Sequence, residues 1–154
     1  MDWLFDEVAK QWGYWLPVDT QKTIRKGAFY SALIKPGFRV IALNGNYCNK
    51  ANYYLALNST DPNGQLAWLV EQLEAAEKKG EKVHIIGHIP PGGIDCLKSW
   101  SATFYDIVNR LVSISINFLL VRSIWKKKIT KEQLWRMFQV RIDNNGSVLR
   151  AHSF

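Results

Sequence analysis

Blocks of alternating hydrophobic and polar residues predict strands and helices in turn along most of the chain. Two apolar runs, Phe29 to Ile34 and Phe38 to Leu43, flank Lys35-Pro36-Gly37, which predicts a β-hairpin with Pro and Gly at the central positions of a type II turn. Residues from Gln65 to Lys79 repeat apolar side chains at helical spacing and end before a glycine, which predicts an amphipathic helix. The β-branched, apolar run from Val83 to Ile86 is typical of a buried strand.

The order of these elements indicates the class of fold. A strand from Arg39 to Leu43, a helix from Gln65 to Lys79 and a strand from Val83 to Ile86 form the pattern of a βαβ crossover, with its two strands parallel. A second helix is expected at about Ala102 to Arg110. We therefore expect an α/β fold in which a parallel or mixed sheet carries helices on its face, and ligands of such sheets gather at the carboxyl ends of the strands.

An aromatic and aliphatic stripe at helical spacing runs through the amino-terminal segment before Pro17. Its members are Trp3, Leu4, Val8, Trp12 and Trp15. Core packing is the default explanation of such a stripe, so we expect a helix from Asp2 to Leu16 with a buried aromatic face. No apolar run approaches the roughly 20 residues that cross a bilayer, and acidic residues stand where a signal peptide would be basic. Neither a transmembrane segment nor a secretion signal is expected in this sequence.

The net charge of +7 is concentrated at one end of the 154-residue chain. Residues 1–110 hold 12 Lys or Arg against 11 Asp or Glu, whereas residues 111–154 hold 8 against 2. This asymmetry predicts a nearly neutral body, long enough for one domain with a core, and a basic tail. The basic residues are not interleaved with an identifiable recognition fold, so no nucleic-acid partner is expected.

The basic tail has patterns of its own. Residues Val112 to Phe118 alternate like a strand, and two further strand-like runs, Val140 to Ile142 and Val148 to Ala151, flank a polar turn. Two origins of the tail are open: a translated intron, since Val112-Ser113 can be encoded by a splice-donor sequence, or a genuine divergent terminus. In the second case Lys126-Lys127-Lys128 is either a solvated charge run or a site for anionic lipid.

A histidine at a strand end is the first candidate for chemistry. His88 and Gly87 follow the strand from Val83 to Ile86, and Pro90-Pro91 stiffen the loop beyond, as suits a metal or phosphate site. His84 lies four residues before His88, but the segment is a strand with no acidic residue between them, which excludes a helical zinc motif. A lone histidine at a strand end is more often a structural hydrogen-bonding residue than a ligand.

The two cysteines and one sequence triplet are further candidates. Cys48 and Cys96 each follow a predicted strand at the same sheet edge, so a disulfide is geometrically reasonable and would contribute about 4 kcal/mol in the chain-entropy model. The number of cysteines alone slightly favours two unpaired, buried thiols. Asn58-Ser59-Thr60 is an N-x-S/T glycosylation acceptor, although the triplet alone is weak evidence.

Three sequence blocks, taken together with the spacing between them, are specific enough to indicate a protein family. They are Arg39 to Cys48, Leu57 to Leu66, and Val83 to Gly92 followed by Cys96 to Trp100. Together they resemble the acid sphingomyelinase family over about residues 3–110. Members of that family are lysosomal and secreted, glycosylated, zinc-dependent phosphodiesterases of the calcineurin-like metallophosphoesterase superfamily, and they split sphingomyelin into ceramide and phosphocholine.

The resemblance implies a domain division and site residues. Residues 1–110 are expected to be the C-terminal part of a calcineurin-like metallophosphoesterase sandwich, and residues 111–154 a basic tail that does not match the family. His88 is implied as a zinc ligand, Cys48 and Cys96 as a disulfide pair, and Asn58 as a glycosylated residue. The implied partner is the surface of a membrane that contains sphingomyelin or a related phospholipid, and the implied location is lysosomal or extracellular.

Several ligand motifs of the family do not occur in this sequence. They are Asp-x-His, Gly-Asp and Gly-Asn-His upstream and Gly-His-x-His downstream, and a two-metal site needs ligands of this kind from several strand ends. We therefore assign no catalytic residue, and we expect a partial chain that is inactive alone because His88 cannot hold two zinc ions. The alternative is a noncatalytic isoform or gene-model fragment that binds a membrane or a partner protein through its basic tail.

Overall fold

The structure, a computed structural model, describes residues 2–110, 116–120, 141–142 and 148–149. Within these ranges the α-helices are α1 (Asp2–Trp12), α2 (Gln21–Gly27), α3 (Gln65–Lys78) and α4 (Lys98–Arg110). The strands are β1 (Tyr30–Lys35), β2 (Phe38–Ala42), β3 (Lys82–Gly87), β4 (Ile116–Leu120), β5 (Arg141–Ile142) and β6 (Val148–Leu149). Short 3₁₀ turns cover Val18–Thr20, Gly45–Tyr47, Tyr53–Ala56 and Pro62–Gly64.

The first four strands form one mixed sheet in the order β1-β2-β3-β4. β1 pairs with β2 in the antiparallel direction, and β2, β3 and β4 are parallel. The connection from β2 through α3 to β3 is the predicted βαβ crossover, so the predicted α/β class with a mixed sheet is confirmed.

The hairpin between β1 and β2 follows from its turn residues. Gly37 has a φ of +77°, close to the value that position i+2 of a type II turn requires and that glycine adopts without strain. The carbonyl of Gly37 also accepts a 2.8 Å hydrogen bond from the backbone N–H of Lys82, which starts β3. The predicted turn therefore also fixes the point where the third strand begins.

One face of the sheet carries the hydrophobic core. Ile41 of β2 and Val83 and Ile85 of β3 are fully buried. They cluster with residues of α3 and α4, namely Leu66, Leu69, Leu73, Ala76, Trp100, Phe104 and Val108. The period-2 alternation of the strands and the helical spacing of α3 bring these side chains together, because each element turns one apolar face toward the same layer.

The predicted burial of the amino-terminal stripe is wrong. α1 ends at Trp12 rather than near Leu16, and Ala9 is its one fully buried residue. Trp3 is 76% exposed and Trp15 is 63% exposed. The helical spacing predicts the helix itself correctly. However, α1 packs against the small helix α2, so most of the stripe has no layer to cover it.

The tail contributes a strand to the sheet. β4 lies beside β3 with Ile85 opposite Phe118, and it begins four residues after the start and ends two residues after the end of the alternating run from Val112 to Phe118. β5 and β6 form an antiparallel pair, as the strand-like runs predict. The Lys126-Lys127-Lys128 cluster lies outside the described residues, and the proposed division at residue 110 stays a prediction. No helix in the described part of the chain is long and apolar enough to cross a membrane.

Candidate functional site

Two loops leave the same edge of the sheet, because β2 and β3 are parallel and end in register. Ala42 lies opposite Ile86, and the N–H of Leu43 donates to the carbonyl of Ile86 at 2.9 Å. The β2 loop (residues 43–52) follows β2, and the His88 loop (residues 88–97) follows β3. His88 itself is exposed directly after the end of β3. The structure thus places this histidine at a carboxyl strand end, where parallel sheets position ligand-binding groups.

The two loops pack closely at one point. A Cβ atom on Gly45 would lie 3.3 Å from the backbone nitrogen of Ile89, the residue after His88. Ile89 is buried and belongs to the hydrophobic core. Glycine at position 45 therefore lets the β2 loop come up against the start of the His88 loop.

A disulfide and backbone hydrogen bonds join the far ends of the loops. Cys48 and Cys96 are bonded, with 4.8 Å between their Cα atoms. The N–H of Leu97 donates to the carbonyl of Cys48 at 2.7 Å, and the N–H of Lys50 donates to the carbonyl of Asp95 at 2.9 Å. The structure has the pairing that the resemblance implies, and not the two unpaired thiols that the cysteine count favoured.

α4 holds the His88 loop from its other side. The N–H of Gly92 donates to Ser101 Oγ at 2.9 Å, and that hydroxyl donates to the carbonyl of Leu97 at 2.8 Å. The hydroxyl of Tyr105 donates to the carbonyl of Pro91 at 3.0 Å. The loop that carries His88 is therefore fixed by a covalent bond, two prolines and side chains of a helix.

Amide side chains fix the β2 loop, and sequence reasoning missed the principal one. Gln65, the first residue of α3, is fully buried. Its Oε1 accepts from the backbone N–H of Asn44 at 2.7 Å, and its Nε2 donates to the carbonyl of the same residue at 3.4 Å. Gln65 was assigned only to the predicted helix, since nothing in the local sequence signals a contact 21 residues away.

A second group of contacts ties the β2 loop to α2. The carbonyl of Gly27 accepts hydrogen bonds from Asn44 Nδ2 at 3.0 Å and from the hydroxyl of Tyr47 at 3.1 Å. Asn63 Nδ2 donates to the same hydroxyl at 2.6 Å. Burial raises the pKa of Tyr47, although its hydrogen bonds with Asn63 and Asn44 act in the other direction. Tyr47 is therefore a neutral hydrogen-bonding group near neutral pH.

The described residues do not form a complete metal site. They include no group of three or more His, Cys, Asp or Glu side chains that could hold an ion. His84 lies within β3, where its ring meets Phe38 edge to face at 4.7 Å and burial lowers its pKa. The strand also separates His84 from the loop that carries His88, in agreement with the exclusion of a helical zinc motif. The described residues thus do not provide a complete zinc site by themselves.

A cavity of about 640 Å³ is lined by residues of α1, of the β2 loop and of the segment around Asn58. Six asparagines line it, namely Asn44, Asn46, Asn49, Asn52, Asn58 and Asn63. The glycosylation acceptor Asn58 is exposed, and its Oδ1 accepts from the N–H of Thr60 at 3.2 Å, which holds the side chain in a turn. The cavity lined by these six asparagines is called the asparagine cavity.

Comparison with known proteins finds relatives that match 70% of the chain. No protein-family model matches it. The sphingomyelin phosphodiesterases of Bos taurus and Homo sapiens are 55% and 56% identical to it over 108 residues, which is 70% of this chain and 17% of each relative. Sphingomyelin phosphodiesterase 2 of Caenorhabditis elegans is 45% identical over 108 residues, 70% of this chain and 18% of the relative. The matched segment is acid sphingomyelinase-like.

The resemblance drawn from the sequence blocks is thereby confirmed. The chain spans less than a fifth of the length of these curated relatives. The acid sphingomyelinase-like segment is long enough to include both loops at the carboxyl edge of the sheet, but the ligand motifs named above are not in it.

Proposed function

We propose that this chain is part of a zinc-dependent phosphodiesterase that hydrolyses sphingomyelin in membranes to ceramide and phosphocholine. The observation that carries the proposal is its 55–56% identity to proteins named sphingomyelin phosphodiesterase. The position of His88 at a carboxyl strand end supports it, since catalytic groups of α/β folds gather there.

In this proposal His88 supplies one ligand of a zinc site that other segments of the domain complete. An imidazole nitrogen is a common zinc ligand, and a ligand must be held in place to bind well. The disulfide to Cys48, the hydrogen bond from the N–H of Gly92 to Ser101 and the one from Tyr105 to Pro91 hold the loop on both sides. These contacts are therefore proposed to position His88 for the metal.

A chimera tests the family function and the role of His88 together. Residues 2–110 of this chain replace the matched segment of the human relative, and zinc-dependent sphingomyelin hydrolysis is measured. We expect activity in the chimera and a loss of about 100-fold or more with His88→Ala, since even outer-shell changes cost 10–100-fold in such sites. His84→Ala is the matched control and should stay within a few-fold of the chimera. An inactive but folded chimera, or equal losses in both variants, would contradict the proposal.

We also propose that the purified chain is inactive alone. A single histidine ligand cannot hold two zinc ions, and it cannot at the same time protonate the ceramide leaving group. Saturable, zinc-dependent release of phosphocholine by the purified chain, absent after chelation, would overturn this part of the proposal.

Asn58 is proposed to carry an N-linked oligosaccharide in an oxidising, lysosomal or extracellular compartment. Its side-chain nitrogen would form a bond to the anomeric carbon of the sugar, lose one proton, and displace the diphosphate of a lipid-linked donor. The exposed acceptor and the Cys48–Cys96 disulfide support such a compartment. Mass spectrometry of the chain secreted from eukaryotic cells should find a glycan at Asn58, and an unmodified peptide would contradict this assignment.

A further inference from the structure

The asparagine cavity is separate from the proposed metal site. None of the residues that line it belongs to β3 or to the His88 loop. Its volume of about 640 Å³ falls in the range of about 300–1,000 Å³ that is typical of small-molecule sites. The proposed phosphodiesterase function gives this cavity no role.

An exposed ring lines the asparagine cavity, and an exposed apolar side chain precedes Asn58 in the sequence. Tyr54 lines the cavity and is 65% exposed, while Leu57, the residue before Asn58, is 86% exposed. Exposed apolar groups that cluster in this way usually have a partner that covers them. The partner here must combine an apolar face with many hydrogen-bonding groups, because ring and amide groups line the same cavity.

We propose that the first sugars of the oligosaccharide on Asn58 fold back into the asparagine cavity and cover the ring of Tyr54. The proposal rests on the proposed glycosylation of Asn58. The C–H face of a pyranose ring packs on an aromatic ring, and sugar hydroxyl and acetamido groups match the donors and acceptors of the asparagine amides.

The attachment point favours this docking. Asn58 is itself part of the cavity lining, so the attached sugars start at its wall and their effective concentration there is high. The N–H groups of Thr60 and Asp61 donate to Asn58 Oδ1 at 3.2 and 3.4 Å. These bonds restrict the rotation of the amide and hence the directions in which the first sugar leaves.

Tyrosine nitration by a small reagent tests the docking in the secreted full-length chain. Thr60→Ala removes the acceptor triplet, and Thr60→Ser is the matched control that keeps it; both keep the backbone N–H that bonds to Asn58. Tyr54 should be nitrated about tenfold more slowly in the wild-type chain and in Thr60→Ser than in Thr60→Ala, as expected for a docked state favoured tenfold. Tyr53, its neighbour, is 90% exposed and is not in the lining, so its rate should change little.

Four outcomes overturn the docking. Equal nitration of Tyr54 with and without a glycan on Asn58, or equal protection of Tyr53 and Tyr54 by a loosely moving glycan, contradicts it but leaves the phosphodiesterase proposal intact. An Asn58 that carries no glycan contradicts the docking and the glycosylation together. If Thr60→Ala does not fold, NMR line widths of labelled sugars on the glycosylated chain give the second measurement. The sugar lines should be narrower in Tyr54→Ser than in the wild-type chain, and Tyr14→Ser should leave them unchanged. Sugar lines that are already narrow in the wild-type chain would overturn the docking.

Discussion

The two loops at the carboxyl edge of the sheet leave neighbouring parallel strands and share the Cys48–Cys96 disulfide, but their other contacts differ in chemistry. The His88 loop also carries two prolines, donates a hydrogen bond to Ser101 of α4 and accepts one from Tyr105 of α4. The β2 loop is held by neutral side chains, above all the buried amide of Gln65 on the backbone of Asn44. A covalent bond acts whatever the packing around it, whereas an amide hydrogen bond depends on burial to make its loss costly.

This difference matches the proposed roles of the loops. A metal ligand must stay within a fraction of an ångström of its position, which a crosslink and a braced loop favour. The β2 loop lines the asparagine cavity, where fixed amide groups offer hydrogen bonds to a sugar. Apart from the shared disulfide, the contacts of each loop can therefore be weakened separately, and the effects should differ in size and location.

Loss of the disulfide should have the largest effect. The crosslink closes 48 residues, so its removal should lower the free energy of unfolding by about 4 kcal/mol in the chain-entropy model and by about 2–5 kcal/mol in practice. Urea unfolding of the chain with Cys48→Ala and Cys96→Ala together measures this change. Reductant should destabilise the wild-type chain by a similar amount and leave the double variant unchanged. A double variant as stable as the oxidised chain would show that the crosslink contributes nothing.

Loss of the Gln65 side chain should cause the second largest loss of stability. Gln65→Ala leaves the part-buried N–H of Asn44 without its partner, which costs about 1–3 kcal/mol, while the carbonyl of Asn44 keeps the 3.2 Å bond from the N–H of Tyr47. Hydrogen exchange should accelerate at Asn44 more than at Gly92 of the His88 loop. The matched control is Gln11→Ala, which removes an exposed hydrogen bond to Glu7 on α1. If the two alanine variants lose the same stability, burial of the amide is not what fixes the β2 loop.

The same contrast explains which features the sequence predicts. Turn residues and periodicity are local, so the hairpin, the crossover and the strand-end position of His88 follow from the sequence alone. Local sequence does not decide whether Cys48 and Cys96 are paired, and the pairing is implied only by the family resemblance. The role of Gln65 and the exposure of Trp3 depend on what lies opposite each residue in space, which no local pattern records.

An ion pair at the opposite edge of the sheet should give a smaller, pH-dependent effect. Glu81 is buried before β3, and Arg39 Nε donates to it at 2.6 Å, which holds the pKa of Glu81 below its ordinary value of 4.5. A carboxyl group with a lowered folded-state pKa contributes stability that is present above pH 4.5 and is lost as the pH falls through the folded-state pKa. The neutral acid can still accept from Arg39, so only part of the interaction is lost. Neither carboxyl-edge loop should respond to this titration.

Unfolding free energies between pH 7 and pH 3 measure this dependence. Glu81→Gln should lose less stability on acidification than the wild-type chain. The control Glu71→Gln, at an exposed position of α3, should follow the wild-type curve. Parallel curves for all three chains would exclude Glu81 as the source of the pH dependence.

Loss of one hydrogen bond to the His88 loop should have the smallest effect. Tyr105→Phe removes the 3.0 Å bond from its hydroxyl to the carbonyl of Pro91 and keeps the ring. The group is partly exposed, so the expected cost is about 0.5–1 kcal/mol, with faster hydrogen exchange at Gly92 and no change at Asn44. Tyr14→Phe, at an exposed tyrosine after α1, should change neither. Exchange that rises equally in both loops would mean that they move as one unit, and the separation between a braced loop and an amide-held loop would then fail.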